Sequence, residues 1–325
     1  MVANLLSTLG SYFTTNDGFR HAIVSTSDGE LHEIFYNPKT GKGNARLAYF
    51  CGLRFLTAFY TPDDGYQHPI VATDTGDIFE ISYKPGDFHI TGSLTNFSSV
   101  IALSGFYAAD DQMRILIVGQ EDGSIHEVFY KPGIGVHVTQ PALATFRGLT
   151  HLAAFYSEDD KFRHAIVATN DGNITEVFYH PTIGVHISQP PLATFQNIVS
   201  LAAFYAEDDN MRIVIVATND GAIHEIFYRP DIGVHVTQPV LATFSAIAGI
   251  SAFYTGDDKF RHVIVTDTNG NVTEVFYHPT IGIHISEPPL ATFPAPTPAV
   301  EMVGPDLIDL SPSSLQSISD ASPAG

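Results

Sequence analysis

The chain has 325 residues, 44% of them hydrophobic, enough to bury a sizeable core and long enough for two or three domains. Thirty-five acidic against fifteen basic side chains give a formal charge of -20, so a nucleic-acid backbone or an anionic membrane is repelled and neither is an expected partner. A lone cysteine, Cys51, excludes an internal disulfide framework and fits a reducing compartment.

The first stretch, MVANLLSTLGSYFTTNDG, has no basic segment before its short apolar run and does not read as a signal peptide. No stretch is long and apolar enough to span a bilayer, and a cytoplasmic location is expected. From Tyr12-Phe13 onward the chain repeats, with Phe-Tyr pairs opening further units at Phe59, Phe106, Phe155, Phe204 and Phe253. In a typical unit, LAAFY, RHAIVAT, ITEVFY and GVHISQPPLATF each have a strand's length and β-branched or aromatic content. Asn-Asp-Gly between the second and third is a hairpin signal, and no unit offers a helix. Four short antiparallel strands per unit define a propeller blade, so residues 1–293 are expected to form an all-β, six-bladed β-propeller. Its ring is expected to close between complete blades. Residues 294–325, rich in Pro, Ser, Ala and Asp, are expected to be a flexible tail.

The units are not equal. Units four and six carry FRH followed by ITE or VTE, whereas units three and five carry MRI followed by IHE. Units one and two have drifted furthest: Gln67 stands where the others have arginine, Ser82 precedes Tyr83, and the GVHxxQP segment is lost or altered. A specialised site is expected where the repeat fails, around Gln67 and His68.

Glutamate holds one position in all six units, at Glu33, Glu80, Glu127, Glu176, Glu225 and Glu274. Arginine holds another in five, at Arg20, Arg114, Arg163, Arg212 and Arg261, thirteen residues earlier. The two flank the hairpin and are expected to meet at its open end, either as a structural ion pair in every blade or as a clamp for a polar ligand. Beside the arginine stand His21, His68, His164 and His262, replaced by Ile115 and Ile213 in units three and five. On a strand these neighbours face away from the arginine. They are either half-buried structural groups or, on a channel-lining face, hydrogen-bond donors and acid–base groups. Another series, His137, His186, His235 and His284, has no second ligand nearby and is not a metal motif. The paired aspartates, such as Asp159-Asp160, lack the oxygen-rich loop of a calcium site and are expected to solvate a turn. No nucleophile elbow, P-loop or dinucleotide fingerprint is present, and no metal or cofactor is expected.

The Arg...Asp-Gly-x-Ile-x-Glu unit, seen as RHAIVATNDGNITE and RIVIVATNDGAIHE, resembles the fungal fucose-specific lectin family. That resemblance implies a six-bladed propeller binding sugar between adjacent blades. It nominates Arg20 with Glu33, Arg114 with Glu127, Arg163 with Glu176, Arg212 with Glu225 and Arg261 with Glu274, while Gln67 breaks the pair with Glu80. The lectins stack an aromatic platform, commonly tryptophan, on the sugar. This chain has no tryptophan, which leaves tyrosines such as Tyr130 and Tyr179 for that role.

A tryptophan-free propeller rich in Phe and Tyr, with Arg and His near its channel, is also similar to the hetero-Diels-Alderases of fungal tropolone-sesquiterpenoid biosynthesis. That resemblance implies cofactor-independent cycloaddition of a tropolone quinone methide to a humulene-type alkene. Orientation and donors aimed at a developing oxyanion would drive the reaction. His21, His68, His164, His262 and Gln67 are then the catalytic candidates. The sequence is read first as such an enzyme acting on terpenoid and polyketide partners. The alternative is a non-catalytic lectin for fucosylated glycans, with an interaction scaffold third; a homodimer is compatible with each.

Overall fold

The computed structural model describes residues 9–293; the expected tail over 294–325 lies outside the described residues. Blade four shows how a unit folds. Its strands Leu149–Tyr156, Arg163–Thr169 and Asn173–His180 run antiparallel from the centre outward, followed by Gly184–Ile187 at the edge. All six sheets keep this order, and among the described residues there is no helix. Each blade is made from consecutive chain, and the innermost strands pack on one another around the ring, Leu9–Phe13 against Ile247–Tyr254 included. The ring therefore closes between complete blades.

The expected fourth strand is in most blades two strands. In blade four, Gly184–Ile187 pairs with one half of Asn173–His180 and Ala193–Thr194 with the other. Pro190 and Pro191 lie between them and cannot donate to the ladder, so the chain leaves the sheet there. Blade two breaks in the same way without a proline, at Thr91-Gly92-Ser93-Leu94 between Asp87–Ile90 and Thr95–Asn96, whereas in blade one Gly41–Tyr49 stays continuous along Glu30–Asn37.

The returning end fixes the hairpin turn. Gly172 has φ +83°, and a Cβ there would sit 2.0 Å from the Phe195 carbonyl oxygen. The gap lets Phe195 N–H donate to Gly172 O at 2.9 Å. The same Gly–Phe bond recurs in all six blades, from Gly29 with Phe50 to Gly270 with Phe293.

The core is divided among the boundaries. Strand Arg163–Thr169 is covered on both faces by the neighbouring blades, which is why it reads as a nearly continuous buried run rather than an alternation. Each boundary holds its own apolar cluster; at the seam, Leu9, Ala22 and Val24 of blade one meet Phe253, Ile264 and Val272 of blade six. Small residues let the innermost strands approach. A Cβ on Gly10 would lie 2.4 Å from Ala58 N and 2.7 Å from Ala58 Cβ. Gly10→Ala should therefore wedge blades one and two apart, costing about 1–3 kcal/mol. The measurement is a lowered urea midpoint with an unchanged slope.

Candidate functional site

Arginine and glutamate of one blade do not pair. The hairpin register sets Arg163 opposite Tyr179 and Ile166 opposite Glu176, leaving the two charges three positions out of register. Alternation then sends them to opposite faces. Arg163 and Tyr179 face blade three, while His164 and Glu176 face blade five. Arg163 Nη1 donates to Glu127 of the preceding blade at 2.6 Å, and Arg261 Nη1 to Glu225 at 2.9 Å. The within-blade contact expected for Arg20–Glu33, Arg114–Glu127, Arg163–Glu176, Arg212–Glu225 and Arg261–Glu274 is thus replaced by contacts between blades.

One rule covers all six boundaries. The tyrosine opposite the arginine, or opposite Gln67 in blade two, donates to the glutamate of the preceding blade: Tyr36 to Glu274, Tyr83 to Glu33, Tyr130 to Glu80, Tyr179 to Glu127, Tyr228 to Glu176 and Tyr277 to Glu225. Burial and the adjacent carboxylate push these phenols well above their ordinary range, keeping each a donor. Tyr130 and Tyr179 are buried there and offer no platform for a sugar. All six glutamates are 3–7% exposed, and Arg20, Arg163, Arg212 and Arg261 are 3–4% exposed. Burial raises the Glu127 carboxyl above its usual range even though Arg163 and Tyr179 oppose the shift.

What varies is the nitrogen group that joins the tyrosine on the glutamate. Where the blade has a histidine, its Nδ1 takes the glutamate: His21 with Glu33 at 2.7 Å, His68 with Glu80 at 2.9 Å, His164 with Glu176 at 2.8 Å and His262 with Glu274 at 2.7 Å. Where isoleucine replaces it, at Ile115 and Ile213, the next blade's arginine takes Glu127 and Glu225. Arg114 is intermediate, with Nη1 3.7 Å from Glu80. Arg20 binds Asp258, and Arg212 binds Asp159 and Asp160. The second aspartate of each pair thus anchors the next blade's arginine, in addition to shaping its turn, wherever that arginine is present. At the boundary without arginine, Gln67 accepts from Tyr12 Oη at 2.6 Å, and Tyr12 replaces the phenylalanine of the other units.

The four candidate histidines are buried, stacked on Tyr12, Phe59, Phe155 and Phe253. Their Nε2 atoms meet Thr14, Thr61, Ser157 and Thr255. The units with isoleucine have Ala108 and Ala206 in place of that hydroxyl, a covariation visible in the sequence. Ser157, His164 and Glu176 have the connectivity of a nucleophile, base and acid, but Ser157 is fully buried and its hydroxyl is bonded to Asp160. The exposed series, His137, His186, His235 and His284, stacks on Phe129, Phe178, Phe227 and Phe276 at 5.2 Å.

An open depression of about 440 Å³ lies between blades four and five, lined by Glu158, Asp159, Tyr205, Glu207 and Asn210. Loops joining the first two strands of each blade supply the acidic groups and the amide. Tyr205, at the end of the innermost strand, donates to Asn210 Oδ1 at 2.7 Å. Burial, and then Asp159, push its phenol up to about 12. Burial and neighbouring Glu158 raise the Glu207 carboxyl. Gln67 and His68 lie elsewhere, 7% and 0% exposed at the other side of the ring.

No protein-family model and no curated protein matches the chain. Solved structures match its fold. The Aleuria aurantia lectin in complex with Fucα1-6GlcNAc is 12% identical, covering 92% of this chain and 100% of that one with a TM-score of 0.71. AofleA from Arthrobotrys oligospora is 13% identical over 87% of each chain, with a TM-score of 0.66. The SapL1 lectin in complex with α-methyl fucoside is 11% identical over 87% of this chain and 96% of that one, also at 0.66. The chain thus shares the six-bladed propeller architecture of fungal fucose-binding lectins.

Because the boundaries depend on buried charge, Glu127→Ala should leave Arg163 and Tyr179 without a shared acceptor and cost about 3–5 kcal/mol. Arg163→Ala should cost a similar amount. Denaturant unfolding of the double variant should show less than the sum, the mark of a direct interaction.

Proposed function

We propose that this propeller is a carbohydrate-binding protein without catalytic activity, taking a fucose-type sugar or fucosylated glycan between blades four and five. The observation that carries this reading is the lining of the depression there. Glu158, Asp159 and Glu207 offer carboxylate acceptors to sugar hydroxyls, and Asn210 offers an amide. The fold likeness to lectins seen with fucosides supports the same class of ligand. Arg163, Arg261 and their glutamates act in this reading as the frame of the blades. A cycloaddition of a hydrocarbon-rich alkene calls for an apolar cavity, and this lining of carboxylates, amide and phenol favours a polyhydroxylated ligand over it.

Calorimetry with methyl fucoside and a fucosylated glycan array should show saturable binding to the intact protein. Asp159→Ala should weaken it at least roughly tenfold, about 1.4 kcal/mol, while Arg163→Ala lowers thermal stability and leaves binding in place. Absence of saturable binding to any fucoside at millimolar concentration would remove the reading.

A further inference from the structure

Two boundaries carry a buried histidine with a carboxylate on each side. Between blades four and five, His164 Nδ1 lies 2.8 Å from Glu176, while Nε2 lies 2.7 Å from Ser157 Oγ and 3.6 Å from Asp160. Between blades six and one, His262 repeats this with Glu274 at 2.7 Å, Thr255 at 3.0 Å and Asp258 at 3.9 Å. Each hydroxyl donates its one proton to the aspartate, so it offers the ring only lone pairs. An imidazole facing an acceptor at each nitrogen satisfies both only when both carry protons.

The next blade is held by the same carboxylates. Tyr228 and Arg212 of blade five bind Glu176 and Asp160; Tyr36 and Arg20 of blade one bind Glu274 and Asp258. Nε of Arg212 and of Arg20 is buried and has no hydrogen-bond partner. The ring itself contains a second wiring of this junction. At the two boundaries whose blade has isoleucine for histidine, Arg163 joins Asp111 to Glu127, and Arg261 joins Asp209 to Glu225.

We propose that His164 and His262 are imidazolium ions in the closed ring and act as proton-controlled locks. Loss of the proton passes Glu176 and Glu274 to Arg212 and Arg20, changing these two boundaries to the wiring already present at the other pair. The proton leaves to solvent and the junction gains one net negative charge: the glutamate exchanges imidazolium for guanidinium, and glutamate and aspartate then share the one arginine, as Glu127 and Asp111 share Arg163. His21 and His68 share the glutamate and a hydroxyl that likewise donates to an aspartate, Asp17 or Asp64; what sets His164 and His262 apart, among the described residues, is that this aspartate also lies within ion-pair distance of the ring. Burial also holds His68 below its ordinary range.

Burial lowers the His164 pKa, but Asp160 and Glu176 outweigh it and the net shift is upward. Its contribution to stability is therefore complete below about pH 6.5, the ordinary histidine value, and fades as pH rises through the higher folded value. Asp160 and Asp258 are shifted down, with burial opposing and the histidine, hydroxyl and backbone bonds prevailing. Their contribution is present above about pH 3.9 and is lost only as pH falls towards their lowered folded values.

The test joins two measurements on the full chain. Long-range nitrogen–proton NMR should show both ring nitrogens of His164 and His262 protonated at pH 6. The melting temperature should fall between pH 6 and pH 9 by roughly 2–4 °C for the His164 lock. A variant carrying Ser157→Ala, His164→Ile, Thr255→Ala and His262→Ile, which writes the residues of blades three and five into blades four and six, should lose that slope. Should the variant not fold, the NMR titration decides alone. Neutral imidazoles at pH 6, or the same slope in both proteins, would overturn the proposal.

Discussion

The structure depends on a carboxylate that water cannot reach. Each blade contributes one buried glutamate to the boundary with the next, and an isolated carboxylate there would cost several kcal/mol unless paired and hydrogen-bonded. The solution is always drawn from both sides: a tyrosine of the following blade, with a histidine of its own blade or an arginine of the next. A blade therefore cannot satisfy its own polar groups. That ties blade identity to neighbour contact as firmly as the apolar clusters do, and it gives each boundary a defined register that hydrophobic packing alone would leave loose.

Sharing the glutamate between alternative partners, histidine or arginine, explains the unevenness of the repeat. Histidine requires a hydroxyl beneath its second nitrogen, and Thr14, Thr61, Ser157 and Thr255 accompany the four histidines, whereas Ala108 and Ala206 accompany isoleucine. Tyr12 with Gln67 is a third, arginine-free solution. What looks like drift among the units is thus a set of mutually consistent substitutions. The arginines that resemble a sugar clamp are committed to this purpose, and the open polar surface lies instead beside them, among the loops carrying Asp159, Glu207 and Asn210.

Much of this was legible before any coordinates. The spacing of Phe59, Phe106, Phe155, Phe204 and Phe253 specifies the blades, and Asp171-Gly172 specifies the hairpin. The opposed faces of Arg163 and His164 follow from strand alternation. The partner of Arg163 did not follow, because Glu127 lies 36 residues away in the preceding blade and the nearer Glu176 carries the same repeat signature. The hydroxyl–histidine covariation was the available signal and would have shown these histidines to be interior. In blades three to six the broken outer strand was written in prolines such as Pro190 and Pro191; in blade two it breaks at Gly92-Ser93 without one. Nothing local marks the depression, since its lining converges from two blades and depends on the shapes of their loops.

The closure has a topological consequence. Every blade is complete in consecutive chain, and the seam at Leu9–Phe13 and Ile247–Tyr254 is bonded by the same kinds of contact as the other five boundaries, with Ser11 meeting Ser251 at 2.8 Å. Among the described residues, no strand crosses the seam to complete a sheet on the other side. The described ring is therefore equivalent under circular permutation: a break placed between any two blades, with the seam joined, would leave six intact sheets and six intact junctions.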